Sequence, residues 1–150
     1  MSVDFESLHD RALERMDRGD ALIREGRLEA GREEYERAAD LEQQAADTVP
    51  EEQPRTRGIL RVAAVSLWMR AGRLLEAAGL ARRYLGASIL TGYARQLHEL
   101  LSAIEGQRAA MRLAIPIPEE HAAAFLERVK LREERLRSGD IDLVPLPTAA

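Results

Sequence analysis

Few residues in this chain have the types and spacing that chemistry requires. Glu6-Ser7-Leu8-His9 has the Glu-x-x-His spacing that some helical bundles use to bind metal ions. A di-metal site needs a second such pair. Arg95 stands three residues before His98, and so no pair forms there. Pro118 has the same place before His121. The sequence therefore predicts no metal site, and we interpret the histidines as surface residues.

Nucleophilic and cofactor-dependent catalysis have no better support. The chain has no cysteine, which excludes a thiol nucleophile, disulfides and Cys-ligated metals. Ser66, Ser88 and Ser102 lie in or at the start of predicted helices, without the sharp turn of a nucleophile elbow. The glycines form no phosphate-binding loop. We expect a protein that is not an enzyme and needs no cofactor.

The composition indicates one helical domain. Hydrophobic residues make up 45% of the 150 residues and aromatic residues only 4%, so the core must consist mainly of Leu, Ala, Ile, Val and Met. Strand-like runs of β-branched residues are missing. No window approaches ~20 uncharged apolar residues, and the first residues do not resemble a signal peptide. We therefore expect a cytoplasmic protein with no membrane-spanning helix.

Charge divides the chain into an acidic and a basic part. Residues 1–54 carry a net charge of −9 and residues 55–112 a net charge of +7, within a total of −4. The basic part can attract an acidic partner, or the acidic part of a second copy. Alternatively, the two parts neutralise each other within one chain. A nucleic-acid role would need the arginines to form one patch, and the acidic part disfavours it.

Apolar residues spaced by three and four predict a series of helices. Prolines at 50, 54, 116 and 118 interrupt the series, and Gly26, Gly72 and Gly139 end helices. The expected helices cover residues 4–24, 28–47, 56–71, 74–84, 88–111 and 119–137. A tail at 138–150, with two prolines, is expected to be extended or disordered. Residues 1–137 would then form a single domain.

One short phrase occurs twice. Arg24-Glu25-Gly26-Arg27-Leu28 returns as Arg70-Ala71-Gly72-Arg73-Leu74, a shift of 46 residues. Each copy stands between two helical stretches. Each therefore predicts a hairpin of two helices joined by a tight glycine turn, at about residues 4–47 and 56–87.

The two hairpins resemble tetratricopeptide repeats, in which small and large residues alternate in a fixed order around the turn. In the first copy the matching residues are Gly19, Leu22, Gly26, Leu28, Ala30 or Gly31, Tyr35 and Ala38. In the second copy they are Trp68, Gly72, Leu74, Ala77, Ala81 and Tyr84. The family period is ~34 residues, so the longer spacing here implies an insertion around Pro50–Pro54. The resemblance covers about residues 8–87.

The resemblance implies a concave groove lined by the first helix of each hairpin. The predicted partner-binding residues are Met16, Asp20, Ile23, Arg24, Val62, Ser66, Met69 and Arg70, with Leu13 and Ile59 on the same face. We expect this face to bind an apolar peptide or helix, while Arg24 and Arg70 meet a carboxylate. The alternative is that the apolar members, in particular Val62 and Ile59, are core residues covered by the later helices.

The sequence thus predicts an all-α protein of five to six helices, with antiparallel hairpins and a C-terminal helix. Its expected role is to bind another protein as an adaptor, scaffold or regulatory subunit. A homo-oligomeric assembly is the main alternative, because a two-repeat array leaves an apolar end uncovered. The tail at 138–150 could then bind a neighbour's groove. The third possible function is nucleic-acid binding by an arginine-rich helical protein.

Overall fold

The chain is all-α in a computed structural model that describes residues 3–113 and, beyond them, residues 124, 127–128 and 130–131. The described part contains five helices and no strand. The helices are α1 (Phe5–Arg24), α2 (Leu28–Thr48), α3 (Pro54–Arg70), α4 (Leu74–Leu85) and α5 (Thr91–Leu113). The chain divides into two compact units, Met1–Ala110 and Met111–Ala150. The clusters and clefts below lie in the first unit.

The repeated phrase is a repeated turn. Gly26 and Gly72 have φ angles of 78° and 77°, a left-handed conformation that glycine adopts at low cost. At the first turn, the Gly26 N–H donates to the Ile23 carbonyl and the Arg27 N–H to the Leu22 carbonyl. Both bonds recur at the second turn, 46 residues later. This pair of bonds is the Schellman motif, which ends a helix and reverses the chain.

Two glycines allow α1 and α2 to pack closely. A Cβ atom added at Gly19 would lie 2.7 Å from the Tyr35 ring and 3.1 Å from the Gly31 carbonyl oxygen. One added at Gly31 would lie 2.7 Å from the Ile23 side chain and 3.2 Å from the Gly19 carbonyl oxygen. Any larger residue at these two places would push the helices apart.

From α1 to α4, successive helices pack against one another: α1 on α2, α2 on α3 and α3 on α4. A buried cluster lies between the two hairpins and connects α2 with the C-terminal half of α3. It consists of Tyr35, Ala38, Ala39, Leu67 and Ala71. A second cluster lies nearer the start of α1 and consists of Leu8, Ala45, Ala46, Val49 and Leu60. The small alanines let the helices approach, and the larger side chains fill the space beside them.

The largest buried cluster joins α3, α4 and α5. Its members are Ala64, Val65, Ala77, Ala78, Leu80, Ala81, Tyr84, Leu97 and Ile104. Helix α5 therefore covers α3 and α4, and Tyr93 also packs directly on Gly58. Val62 and Met69, two residues of the predicted groove, pack against this cluster.

Two helices begin at places that differ from the sequence prediction. Helix α3 begins at Pro54 instead of residue 56, since proline fits a first helical turn, where its missing N–H would have no intrahelical partner. Helix α5 begins at Thr91 instead of residue 88, because residues 86–90 form the link from α4. The predicted helix at 119–137 and the tail at 138–150 lie largely outside the described residues; those described within 119–137 are helical.

Candidate protein-binding cleft

A cleft of about 160 Å³ lies between α1 and α3, the first helices of the two hairpins. Its walls are mostly apolar. The lining residues are His9, Ala12, Leu13 and Met16 from α1, Glu42 from α2, and Ala63, Ser66, Leu67 and Arg70 from α3. Leu13 is 40% exposed, so an apolar side chain meets solvent at this face. We call this feature the α1/α3 cleft.

A buried acid, Glu42, lines the cleft from α2. Its side chain is almost fully buried, and it bonds to the half-buried His9, whose Nδ1 atom lies 2.9 Å from Oε2 and 3.0 Å from Oε1. Burial raises the pKa of the Glu42 carboxyl, whereas the hydrogen bond and charge of His9 lower it. His9 is thus a partner of a buried carboxyl group, which corrects the interpretation of the histidines as plain surface residues.

Arg70, which lines the cleft, bonds to two polar side chains of the first hairpin, Asp20 and Tyr35. The Tyr35 hydroxyl donates to Asp20 Oδ1 at 2.5 Å, and Arg70 Nη2 donates to the same oxygen at 2.7 Å. Arg70 Nη2 also donates to the Tyr35 hydroxyl at 3.1 Å, and its guanidinium carbon lies 4.5 Å from the Tyr35 ring centre. We call Asp20, Tyr35 and Arg70 the polar triad, because it joins α1, α2 and α3.

The polar triad shifts the titration of two of its members. The hydrogen bond from Tyr35 is the main cause that lowers the pKa of Asp20, and the charge of Arg70 acts in the same direction against burial. Burial raises the pKa of Tyr35, and so does its hydrogen bond to Asp20. The triad therefore favours an ionised Asp20 and a neutral Tyr35 at neutral pH.

The structure brings half of the predicted binding residues together. Met16, Ser66 and Arg70 line the α1/α3 cleft, and Asp20 is bonded to Arg70 at its end. Arg70 thus has a carboxylate partner within its own chain. The expectation that it also meets a carboxylate of a binding partner stays a prediction.

The other four predicted residues lie elsewhere. Val62 and Met69 pack against the cluster of α3, α4 and α5. Ile23 contacts Gly31 and packs against the cluster between the hairpins. Arg24 is exposed in the last turn of α1. Of the two flanking residues, Ile59 is 50% exposed and does not line the cleft.

Glu42, the acid of the cleft, was not among the predicted residues, although the sequence contains a signal for it. Buried residues of α2 recur at the three- and four-residue spacing of one helical face, and Glu42 stands on that face between Ala38 and Ala45. A charged residue within an apolar stripe is rarely buried without a partner. That partner, His9, lies on another helix, and sequence spacing cannot reveal it.

The acidic and basic parts of the chain neutralise each other in part. Three ion pairs connect the first hairpin to the second: Arg70 with Asp20 at 2.7 Å, Arg73 with Glu36 at 3.9 Å and Arg83 with Asp47 at 3.4 Å. These pairs are largely exposed, and each contributes little to stability on its own. Acidic residues of the first hairpin thus pair with arginines of the second hairpin within the same chain.

Within the described residues, no group of three or more His, Asp and Glu side chains is arranged to bind a metal ion. His98 is exposed on α5, and His121 lies outside the described residues. None of the described helices is long and apolar enough to cross a membrane.

No family model, curated protein or solved structure matches the chain. The resemblance to tetratricopeptide repeats therefore rests on the residues of the two hairpins.

Proposed function

We propose that this chain is a non-catalytic protein-interaction module with tetratricopeptide-like hairpins. Two observations support the family reading: the Schellman turns at Gly26 and Gly72, and the close approach of α1 and α2 at Gly19 and Gly31. Small residues at such positions are what the family pattern requires. The 46-residue spacing separates this chain from a regular array.

The α1/α3 cleft is the observation that carries the proposed function. It is concave, mostly apolar and formed by the first helix of each hairpin. Such a surface suits an apolar side chain from a peptide or from an amphipathic helix. The ionisable groups at the cleft bond to one another, Glu42 to His9 and Asp20 to Arg70.

The described contacts also bear on the two alternative functions. Asp47 pairs with Arg83, and Glu105 with Arg82, so carboxylates already partner two of the arginines that a nucleic-acid interface would use. Self-assembly would place a second copy in the α1/α3 cleft, and so the test of the cleft must include a measurement of mass.

The test is a selection from a displayed peptide library against the purified protein. We expect the selected peptides to carry apolar anchors at helical spacing, and to bind in fluorescence anisotropy. Ser66→Trp would fill the cleft and should weaken binding at least about tenfold, which corresponds to about 1.4 kcal/mol. Ser102→Trp is the matched control, because Ser102 is exposed on α5.

Equal affinity of both tryptophan variants would contradict the proposed site. Light scattering on the same proteins tests self-assembly. A dimer that dissociates only in Ser66→Trp would identify a second copy as the occupant, and a monomer in every case would leave the cleft for another protein.

A further inference from the structure

A second cleft, of about 210 Å³, lies at the start of α3. Its lining residues are Glu51, Pro54, Arg57, Arg61, Ser88 and Ile89. Arg57 and Arg61 are four residues apart, and so they project from the same face of the helix. Like charges at this spacing destabilise a helix. We call this feature the arginine cleft.

Neutral groups hold both arginines in place. Arg57 Nη2 donates to the Val49 carbonyl oxygen at 2.8 Å, and Arg61 Nη1 donates to the Ser88 carbonyl oxygen at 2.9 Å. The Arg61 guanidinium carbon lies 5.0 Å from the Tyr84 ring centre. In the described part of the chain, neither arginine forms an ion pair with a carboxylate. Two positive charges therefore stand together without a carboxylate in direct contact, and Asp47 acts on Arg61 through its charge without forming an ion pair.

Arg61 also has a donor without a partner. Its Nε atom is buried and makes no hydrogen bond to any residue that the structure describes. Burial is the main cause that lowers the pKa of Arg61, and the neighbouring charge of Arg57 adds to it. A buried donor without an acceptor is costly, which marks Arg61 as a strained part of the cleft wall.

The helix itself contributes to the positive field. Helix α3 begins at Pro54, which lines the cleft, and its first turn contains no acidic residue. The N-terminal end of a helix carries a partial positive charge that favours anions. Glu51 is the one acidic residue that lines the cleft, and it is exposed. In the described part, its carboxylate forms no ion pair with Arg57 or Arg61.

We infer that the arginine cleft binds one phosphate-type oxyanion between Arg57 and Arg61, either free phosphate or a phosphate monoester. Guanidinium groups suit phosphate because their planar donors pair with two oxygens at once. Two adjacent positive charges match a dianion better than they match a carboxylate with one negative charge. The site lies apart from the α1/α3 cleft and does not depend on the proposed peptide binding.

The first test removes the arginines. Isothermal titration calorimetry with inorganic phosphate, at an ionic strength held constant with sodium chloride, should show one saturable site. Arg61→Gln and Arg57→Gln should each weaken it about tenfold or more. Arg95→Gln is the control with the same change of charge, since Arg95 is exposed on α5. Circular dichroism verifies that each variant is folded.

The second test strengthens the site, and a folding defect cannot imitate its result. Glu51→Gln removes the acid from the cleft, so phosphate should bind about two- to fivefold more tightly. Glu99→Gln changes the net charge equally at an exposed position of α5, and it should leave the affinity unchanged. Equal effects of these two variants would overturn the proposal, and so would equal effects of Arg61→Gln and Arg95→Gln.

The same titrations distinguish the source of the phosphate. O-phosphoserine amide should bind at least as tightly as inorganic phosphate if a monoester is the ligand, and more weakly if the free ion is. Both results require Arg57 and Arg61. Binding of a thymidine oligonucleotide that depends equally on Arg95 would overturn a discrete site and indicate an extended basic surface instead.

Discussion

Gly19→Ala is the substitution for which the structure gives the clearest magnitude. The new Cβ atom would lie 2.7 Å from Tyr35 Cε1 and 3.1 Å from the Gly31 carbonyl oxygen, whereas ordinary contacts begin at 3.4 Å. The ring would therefore have to move by about 0.7 Å and the carbonyl oxygen by about 0.3 Å. Neither yields easily, because one is backbone and the other is a ring held by Asp20 and Arg70.

The expected cost combines two opposing effects. Overpacking of a core contact costs about 1–3 kcal/mol, and the replacement of a helical glycine by alanine returns about 0.5–1 kcal/mol. Because both neighbours are constrained, we expect a net loss of about 1–2 kcal/mol in the free energy of unfolding. For a chain of this length the melting temperature should fall by about 2–8 °C.

The assay is guanidinium denaturation followed by circular dichroism at 222 nm. Gly79→Ala is the matched control, because Gly79 is exposed within α4 and an added Cβ would meet nothing within 4 Å. That variant should gain about 0.5–1 kcal/mol. If Gly19→Ala proved as stable as Gly79→Ala, the close packing of α1 on α2 would be refuted.

Three further predictions concern the turns and the buried polar groups. Gly72→Ala should lose about 1–2 kcal/mol, because alanine is strained at a φ of 77°, while Gly86→Ala should change the denaturation midpoint little. The hydrogen bond from Tyr35 lowers the folded-state pKa of Asp20 below 3.8, so Asp20 stabilises the fold above that pH and the benefit is lost as the pH falls through the folded-state pKa. The stability difference between wild type and Asp20→Asn should therefore shrink from pH 6 to pH 3, and a constant difference in thermal melts would contradict this. Tyr84→Phe removes a buried hydroxyl that has no hydrogen-bond partner in the described part. In phosphate-free buffer the free energy of unfolding should therefore stay unchanged or rise by up to about 1 kcal/mol. A loss of about 2 kcal/mol or more would show that the hydroxyl is bonded.

The sequence was sufficient to predict the helices and their turns because those signals are local. Apolar spacing revealed α1, α2 and α4 to within a residue or so, and the two glycine turns were confirmed in conformation and position. The fold class follows from the same signals. Two helix starts were predicted wrongly. Pro54 was interpreted as a helix breaker although proline also fits a first helical turn, and the link before α5 was assigned to the helix.

The candidate site was less accessible from sequence because it depends on contacts across helices. His9 meets Glu42 over 33 residues, and Arg70 meets Asp20 over 50 residues. An apolar stripe shows which face of a helix is buried, but it does not show which helix covers it. That is why Met16 and Ser66 line the cleft, whereas Met69 of the same predicted face packs toward α4 and α5.

The most direct test of the α1/α3 cleft is a chemical-shift map of the tightest selected peptide on the ¹⁵N-labelled protein. The account predicts that the largest amide shifts fall on the lining residues of α1 and α3, among them Leu13, Met16 and Ser66, and that the exposed face of α4 around Gly79 stays unchanged. Shifts that centre on α4 or α5 and leave those three residues unaffected would contradict it.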